Sequence, residues 1–301
     1  MGKADRYFAT GLLMKISYEG YRALLVHAHP DDETINNGST MALYADLGAK
    51  VTLVTCTRGE EGEVLVPELS HLASGAEDKL GEHRVTELAD AMKALGITDH
   101  RFLAEGEKLY RDSGMMGTEP NNRPDVFWQA DLEEASDFLV KVIDEVKPHI
   151  LITYDEIGGY GHPDHIQAHR VAMRASEKSN WQIQKIYWNT MPKSVLAESM
   201  KKMKEVGSDF FGAESVDDLP FAKDDQFVTS VVDGNSHVEK KMAAMKAHLT
   251  QISVDGPFFA LSNNLGLQVW GHEYYTLVRG EKAEPFDENG RERDLFAGVI
   301  L

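Results

Sequence analysis

The sequence predicts an α/β fold: a Rossmann-like, mostly parallel sheet with flanking helices, a metal site at the carboxyl ends of the strands, and a smaller C-terminal α/β elaboration. Three observations carry this. Strand-like apolar runs alternate with amphipathic helical patterns from Tyr21 onward, the order that packs helices against a parallel sheet. Two polar clusters, His29-Pro30-Asp31-Asp32-Glu33 and Gly161-His162-Pro163-Asp164-His165, each come soon after such a run: Ala23-Leu24-Leu25-Val26 for the first, Ile150-Leu151-Ile152-Thr153-Tyr154 for the second. The 301 residues, 42% of them hydrophobic, suffice for a sizeable core, and no repeat or Pro/Gly/Ser linker divides them.

Tyr21 to His27 reads as a buried strand, Ile35 to Leu47 as a helix and Lys50 to Thr57 as a second strand, one βαβ unit with a right-handed crossover. Glu82 to Leu95 places Val85, Leu88, Ala89, Met92 and Leu95 at helical spacing and stops at Gly96. A short strand is predicted over Arg101 to Ala104, a helix over Ala130 to Val146, a strand from Pro148 to Tyr154 and a helix over His165 to Ser176. Further on, Ile183 to Trp188 reads as a strand, Ser194 to Val206 and His237 to Thr250 as helices, and Tyr274 to Val278 as a late strand. The expected organisation is a leader over residues 1–20 and a single domain over 21–301. Within that domain, 21–178 carries both polar clusters and 179–301 decorates it. The connections Gly59 to Gly81 and Glu105 to Asp125 are too long for simple links and are expected to shape a pocket beyond the strand ends.

Thirty-one Lys and Arg against 49 Asp and Glu give a net charge of −18, which repels nucleic acid and anionic membrane surfaces, so neither is expected as a partner. Cys56 is the only cysteine, so no intrachain disulfide can form, and a cytoplasmic location is the default. In the strand pattern Val51-Thr52-Leu53-Val54-Thr55 it reads as a small buried hydrophobe. In the leader, Leu12-Leu13-Met14 is too short for a signal-peptide core, and no stretch is long enough to span a bilayer.

The two polar clusters suit metal-assisted hydrolysis. A borderline divalent ion takes imidazole and carboxylate ligands together, and a catalytic site uses three protein ligands and keeps a position open. His29, Asp32 and His165 are assigned as that set. An amide resists hydrolysis because water is a weak nucleophile and the amine leaves poorly until protonated, so a base, an acid and a donor to the oxyanion are also needed. Asp164 could orient one ring of the pair His162 and His165. Two histidines and one carboxylate also match the facial triad of non-haem iron, so Zn2+ and Fe2+ both remain open. Strand alternation puts His27 on the same face as His29, although a hydrogen-bonded core residue is the better reading.

These clusters, with Thr55-Cys56-Thr57-Arg58-Gly59-Glu60-Glu61-Gly62-Glu63 between them, resemble the LmbE-like (PIG-L) family of metal-dependent N-acetylglucosaminyl deacetylases. Arg111-Asp112-Ser113-Gly114-Met115, Gly158-Gly159-Tyr160-Gly161-His162, Lys185-Ile186-Tyr187-Trp188 and Leu261-Ser262-Asn263-Asn264 extend the resemblance, which runs from about Tyr21 to about Phe296. It implies the same three metal ligands, with Asp31 as general base and His162 as a protonated imidazole assisting the oxyanion or the leaving amine. Tyr160 would be a mobile hydroxyl for the oxyanion, whereas on the residues alone it could be an aromatic packed in a glycine-rich loop. Arg84, Asp112 and Glu63 would bind sugar hydroxyls, although singly each could be a surface charge, turn or cap residue. The implied activity is hydrolysis of the N-acetyl group of N-acetylglucosaminyl-inositol, a step of mycothiol biosynthesis.

Three other functions compete for the same residues. A mycothiol S-conjugate amidase would share both metal motifs. A non-catalytic sugar-binding protein is disfavoured because base and ligand candidates are all present. A dinucleotide-binding oxidoreductase needs a glycine-rich turn after the first strand, where this chain has His-Pro-Asp-Asp-Glu. Near the C-terminus a Glu-His-aromatic sequence is expected of the family branch, whereas this chain reads Glu273-Tyr274-Tyr275 with His272 displaced.

Overall fold

A computed structural model describes residues 17–205, 212–253 and 271–301. Strand β1 (Arg22–His27) pairs in parallel with β2 (Lys50–Thr55) on one side and β4 (Ile150–Thr153) on the other; β2 carries β3 (Asp99–Phe102) and β4 carries β5 (Lys185–Pro192), both again parallel. Beyond β5 the direction reverses: β8 (His272–Arg279) runs antiparallel to β5 and to the edge strand β7 (Ser230–Asp233), giving the order β3-β2-β1-β4-β5-β8-β7. The two-residue β6 (Ala222–Lys223) sits beside the end of β5. The chain therefore winds outward in one direction from β1 and in the other from β4. Such a switch point leaves a crevice at the strands' carboxyl ends, and both polar clusters open there.

The alternation of side chains across β1 divides the core. Ala23 and Leu25, with Ile150 and Ile152 of β4, face one layer containing Met41, Leu88, Met92 and Ala244. These come from the helices α1 (Asp32–Asp46), α2 (Leu80–Leu95) and α7 (Val238–Ala247). Leu24, Val26 and Leu151 face the other layer, with Leu139, Ile143, Val171 and Ala172 from α3 (Leu132–Val146) and α5 (Pro163–Lys178). A strand buried on both faces must be apolar throughout, which is why β1 and β4 read as continuous runs; each buried Leu or Ile contributes roughly 1.5–3 kcal/mol. The short α4 (Gly158–Gly161) precedes α5, and α6 (Lys193–Glu205) covers a satellite cluster of Leu196, Met200, Met203 and Leu219.

Several boundaries move for identifiable reasons. The helix predicted from Ile35 begins at Asp32, so the first polar cluster forms its first turn and puts Asp32 and Glu33 at the positive end of the helix. Similarly, α5 starts at Pro163 rather than His165: Pro fits the first helical position, and His162 caps it by accepting the Asp164 N–H at 3.2 Å. Gly96, at φ 81°, ends α2 as predicted. Helix α7 stops at Ala247, three residues short of the predicted Thr250, whose N–H and hydroxyl are instead taken by Glu87 at 2.8 and 2.7 Å. β7 was not foreseen. Leu261-Ser262-Asn263-Asn264, Val206 and residues 1–16 of the leader lie outside the described residues. Tyr18 packs against Tyr21, Tyr44 and Phe296. Among the described residues, no helix is long and apolar enough to cross a membrane.

Candidate metal centre

The chain leaves β1 at His27 and must turn at once into α1. Asp31 makes the turn at φ 104°, a region an L-residue enters at a cost on the order of 1–3 kcal/mol. The result is that His29 and Asp32 meet His165 across the crevice. His29 Nδ1 lies 3.4 Å from Asp32 Oδ2, His165 Nε2 lies 3.4 Å from the same oxygen, and the two ring nitrogens are 3.3 Å apart. An ion bound at about 2.1 Å in tetrahedral geometry separates its ligands by about 3.4 Å. This triangle of two imidazoles and one carboxylate therefore fits a borderline divalent metal.

Two wider buried groups also share His29 at distances that could hold an ion: His29 with His162 and His165, and His29 with Asp112 and Asp164. The second lies behind the His29 ring, where Asp164 is fully buried and Asp112 nearly so. Asp32 and His165 of the His29-Asp32-His165 triangle line a cavity of about 630 Å³ together with Asp31 and Tyr160, so a substrate can reach this triangle.

Carboxylates and hydroxyls behind the ligands fix their orientation. His29 Nε2 faces Asp164 Oδ2 at 3.3 Å and Asp112 Oδ1 at 3.5 Å, which directs Nδ1 at the triangle. Burial opposes a charge on this ring, yet Asp112, Asp164 and Asp32 together hold its pKa well above the usual imidazole value. Asp164 is held by the backbone N–H of Ser113 at 2.8 Å and by the Ser113 hydroxyl. Asp32 Oδ2 accepts the Tyr154 hydroxyl at 2.7 Å and the His29 N–H at 3.1 Å. Tyr154 in turn accepts the Ala28 N–H at 2.9 Å, and His27 stands 3.2 Å away with its other nitrogen on Asn37. His27 is thus a buried, hydrogen-bonded core residue. His165 turns Nδ1 to the Gly158 carbonyl at 3.1 Å. Gly158 is required there: its φ is +64°, and a Cβ would come within 2.6 Å of the His165 side chain.

Three expectations are corrected. Asp164 orients His29, not His162 or His165, because the Asp112-Ser113 loop anchors its carboxylate on the His29 side. Burial, followed by His29 and His165, pushes the His162 pKa down to about 2, which favours the neutral imidazole over the protonated one that the resemblance implies. Arg84 and Asp112 do not line the cavity. Arg84 is buried and donates to the carbonyls of Gly59 and Pro30 and, at 3.3 Å, to Asp31 Oδ2. A Cβ at Gly59 would fall 1.9 Å from its Nη1. Asp112 faces His29 and accepts the N–H groups of Glu61 and Gly114.

Of the remaining candidates, Asp31 stands beside the triangle, its carboxyl pushed up to about 6 by burial and by Asp32, against the pull of Arg84. Tyr160 is 44% exposed in the cavity wall, with its ring 4.9 Å from that of His165. Glu63 is exposed, and its backbone carbonyl accepts from Gln251 at 2.9 Å. His272, on the cavity wall, is exposed beside Asn235 and Asp233. Sequence reasoning missed Tyr154, Ser113, Glu33 and His248. Glu33 stands in the first cluster and Ser113 in the Arg111 to Met115 stretch, Tyr154 ends a strand-like run, and His248 carries no local signal.

Fold and site together define a Rossmann-like α/β scaffold with a His/Asp cluster suited to a metal ion at its switch point. The chain belongs to the PIG-L family, described as GlcNAc-PI de-N-acetylase, whose model matches residues 24–176, and it is an enzyme that hydrolyses N-acetyl amides. The 1D-myo-inositol 2-acetamido-2-deoxy-alpha-D-glucopyranoside deacetylase 1 of Catenulispora acidiphila is 57% identical over 291 residues, covering 92% of this chain and 89% of that protein. The deacetylase of the same description from Streptomyces avermitilis is 54% identical, covering 92% and 97%. Among solved structures, N,N'-diacetylchitobiose deacetylase from Pyrococcus horikoshii superposes with a TM-score of 0.54 at 19% identity, covering 86% of this chain and 84% of that one. The 4-carboxy-2-hydroxymuconate hydratase from Pseudomonas putida gives 0.54 at 19%, covering 89% and 100%. At these identities the likeness shows the fold alone.

Proposed function

We propose that this enzyme removes the N-acetyl group of N-acetylglucosaminyl-inositol, giving glucosaminyl-inositol and acetate, a step of mycothiol biosynthesis, with Zn2+ as its resident ion. The observation that carries the reading is the triangle of His29 Nδ1, Asp32 Oδ2 and His165 Nε2 beside Asp31 at an open cavity. The relatives from Catenulispora acidiphila and Streptomyces avermitilis, more than 50% identical over nearly the whole chain, bear the name of this substrate. A zinc ion held by His29, Asp32 and His165 would polarise the amide carbonyl and acidify water.

The chain's own groups supply the rest. Asp31 accepts the proton of the attacking water; Arg84 holds its Oδ2, which assigns the proton to Oδ1. The Tyr160 hydroxyl, on the cavity wall, is a donor to the developing oxyanion. His162 accepts the Asp164 N–H at Nδ1, so the neutral ring carries its proton on Nε2 as a second hydrogen-bond donor to the oxyanion, and Asp31 returns the proton it took from water to the departing nitrogen. Asp164 and Asp112 hold the His29 ring, and Glu63, exposed and bonded through its carbonyl to the cavity-lining Gln251, is assigned as a contact for sugar hydroxyls. Fe2+ suits the same donors, and a lone buried cysteine suits the reducing cytoplasm.

The deciding experiment is acetate and free-amine release from N-acetylglucosaminyl-inositol by purified, metal-analysed protein, with a mycothiol S-conjugate beside it. Rapid acetate release with slow conjugate cleavage supports the proposal. The reverse preference makes the enzyme an S-conjugate amidase, and inactivity on both at full metal occupancy removes the substrate assignment.

A further inference from the structure

Asp31 occupies the position that caps α1, where an Asp side chain ordinarily accepts a hydrogen bond from the first helical turn. Here its side chain makes no such bond and turns toward Arg84 instead. The Asp31 backbone stays at φ 104° because something else holds it: its N–H donates to Glu33 Oε2 at 2.9 Å. Glu33 is fully buried, and its other oxygen accepts the Thr34 hydroxyl at 2.5 Å and His248 Nε2 at 2.9 Å. His248 lies 215 residues away, just past α7, and is fully buried. The segment it belongs to is pinned by the Thr250 bonds to Glu87 on α2, and Leu65 N–H donates to the Thr250 carbonyl at 2.9 Å.

From this chain of contacts we infer that His248, acting through Glu33, is a positioning residue for Asp31. It holds the strained turn in the one conformation that presents the Asp31 carboxylate to the reacting water. The inference rests on Asp31 being the base. Without His248 the Glu33 carboxylate loses its fixed donor and can rotate, and the Asp31 N–H loses the acceptor that compensates its backbone strain. The carboxylate then returns to the capping position it would otherwise take, where it faces the helix and not the cavity. Neither His248 nor Glu33 supplies an atom to the metal triangle, and metal content is read beside turnover so that a lost ion is told apart from a misplaced base.

The test uses the full-length metal-loaded enzyme with His248→Leu, His248→Gln, Glu33→Gln, Thr250→Val and Asp31→Asn. Turnover, KM, metal content and the melting temperature of the metal-free protein are read for each. His248→Leu and Glu33→Gln should lower kcat by on the order of tenfold or more, with KM within about twofold and metal content unchanged. His248→Gln, whose amide can still donate to Glu33, should recover most of the turnover. Thr250→Val loosens the same segment without touching Glu33 and should lower the melting temperature while leaving kcat unchanged. Full kcat in His248→Leu, or an equal loss in Thr250→Val, overturns the inference. If His248→Leu does not fold, Glu33→Gln against His248→Gln decides the matter by the same criteria. Full turnover in Asp31→Asn would instead remove Asp31 as base, a separate failure.

Discussion

Tyr154 donates its hydroxyl to Asp32 Oδ2 at 2.7 Å while accepting the N–H of Ala28 at 2.9 Å, so one phenol joins the end of β4 to a metal-ligand candidate and to the backbone after β1. Removing that oxygen leaves two buried groups without their partner. Tyr154→Phe should destabilise the fold by about 1–3 kcal/mol and weaken metal affinity on the order of ten- to a hundredfold. Urea unfolding and chelator competition measure the two effects, and unchanged metal affinity would show that Asp32 does not depend on Tyr154.

Asp31→Asn keeps the size of the side chain and an oxygen acceptor but not the basicity. Turnover should fall by a factor on the order of a hundred or more, with KM and metal content preserved. Steady-state kinetics on metal-analysed protein decide it, and normal turnover would reassign the base.

Arg84 is spent on the Gly59 and Pro30 carbonyls and on Asp31, so its removal should be felt in kcat rather than in KM. Arg84→Ala also strands two buried carbonyls, with a stability loss of about 1–3 kcal/mol. A rise in KM at constant kcat would restore the sugar-binding role expected from the sequence.

The pair of His248 and Glu33 carries a pH signature. Burial disfavours charge on His248, but Glu33 on α1, with Asp31, outweighs it and Arg84 on α2, so the imidazole pKa is raised in the folded protein. A group whose folded pKa exceeds its unfolded value stabilises fully below the unfolded value, roughly 6.5, and loses that contribution as pH rises through the folded value. The melting-temperature gap between the natural protein and His248→Gln should therefore narrow from pH 6 to pH 9. A gap that widens with pH would mean the histidine is buried neutral.

Whatever depended on local pattern was legible in the sequence. The continuous apolarity of β1 and β4 and the stop at Gly96 gave the sheet and helices, and the positions of His29, Asp32 and His165 after two strands brought them into one crevice. What failed depended on contacts between distant residues. Nothing in the spacing of Asp112 says that its carboxylate faces His29, and nothing near His248 names Glu33 as its partner. Arg84 shares the buried phase of Leu80 and Leu88 on α2, but nothing in that spacing says that its guanidinium is taken up by the Gly59 and Pro30 carbonyls and Asp31. The edge strand β7, four residues long, is too short to show a period.

The burial of Cys56 has a practical consequence. The thiol follows β2, where its own N–H bonds to the His27 carbonyl at 2.8 Å, and it is 1% exposed with its pKa pushed far up by burial. The folded molecule therefore has no reactive thiol: an alkylating reagent can label Cys56 only during excursions that open the layer it is packed in, with Ala28, Tyr110 and Phe127, beside the metal centre. The native sequence thus contains its own clock for that opening, and the labelling rate, read by mass with and without metal, times how often the centre comes apart, with no engineered probe.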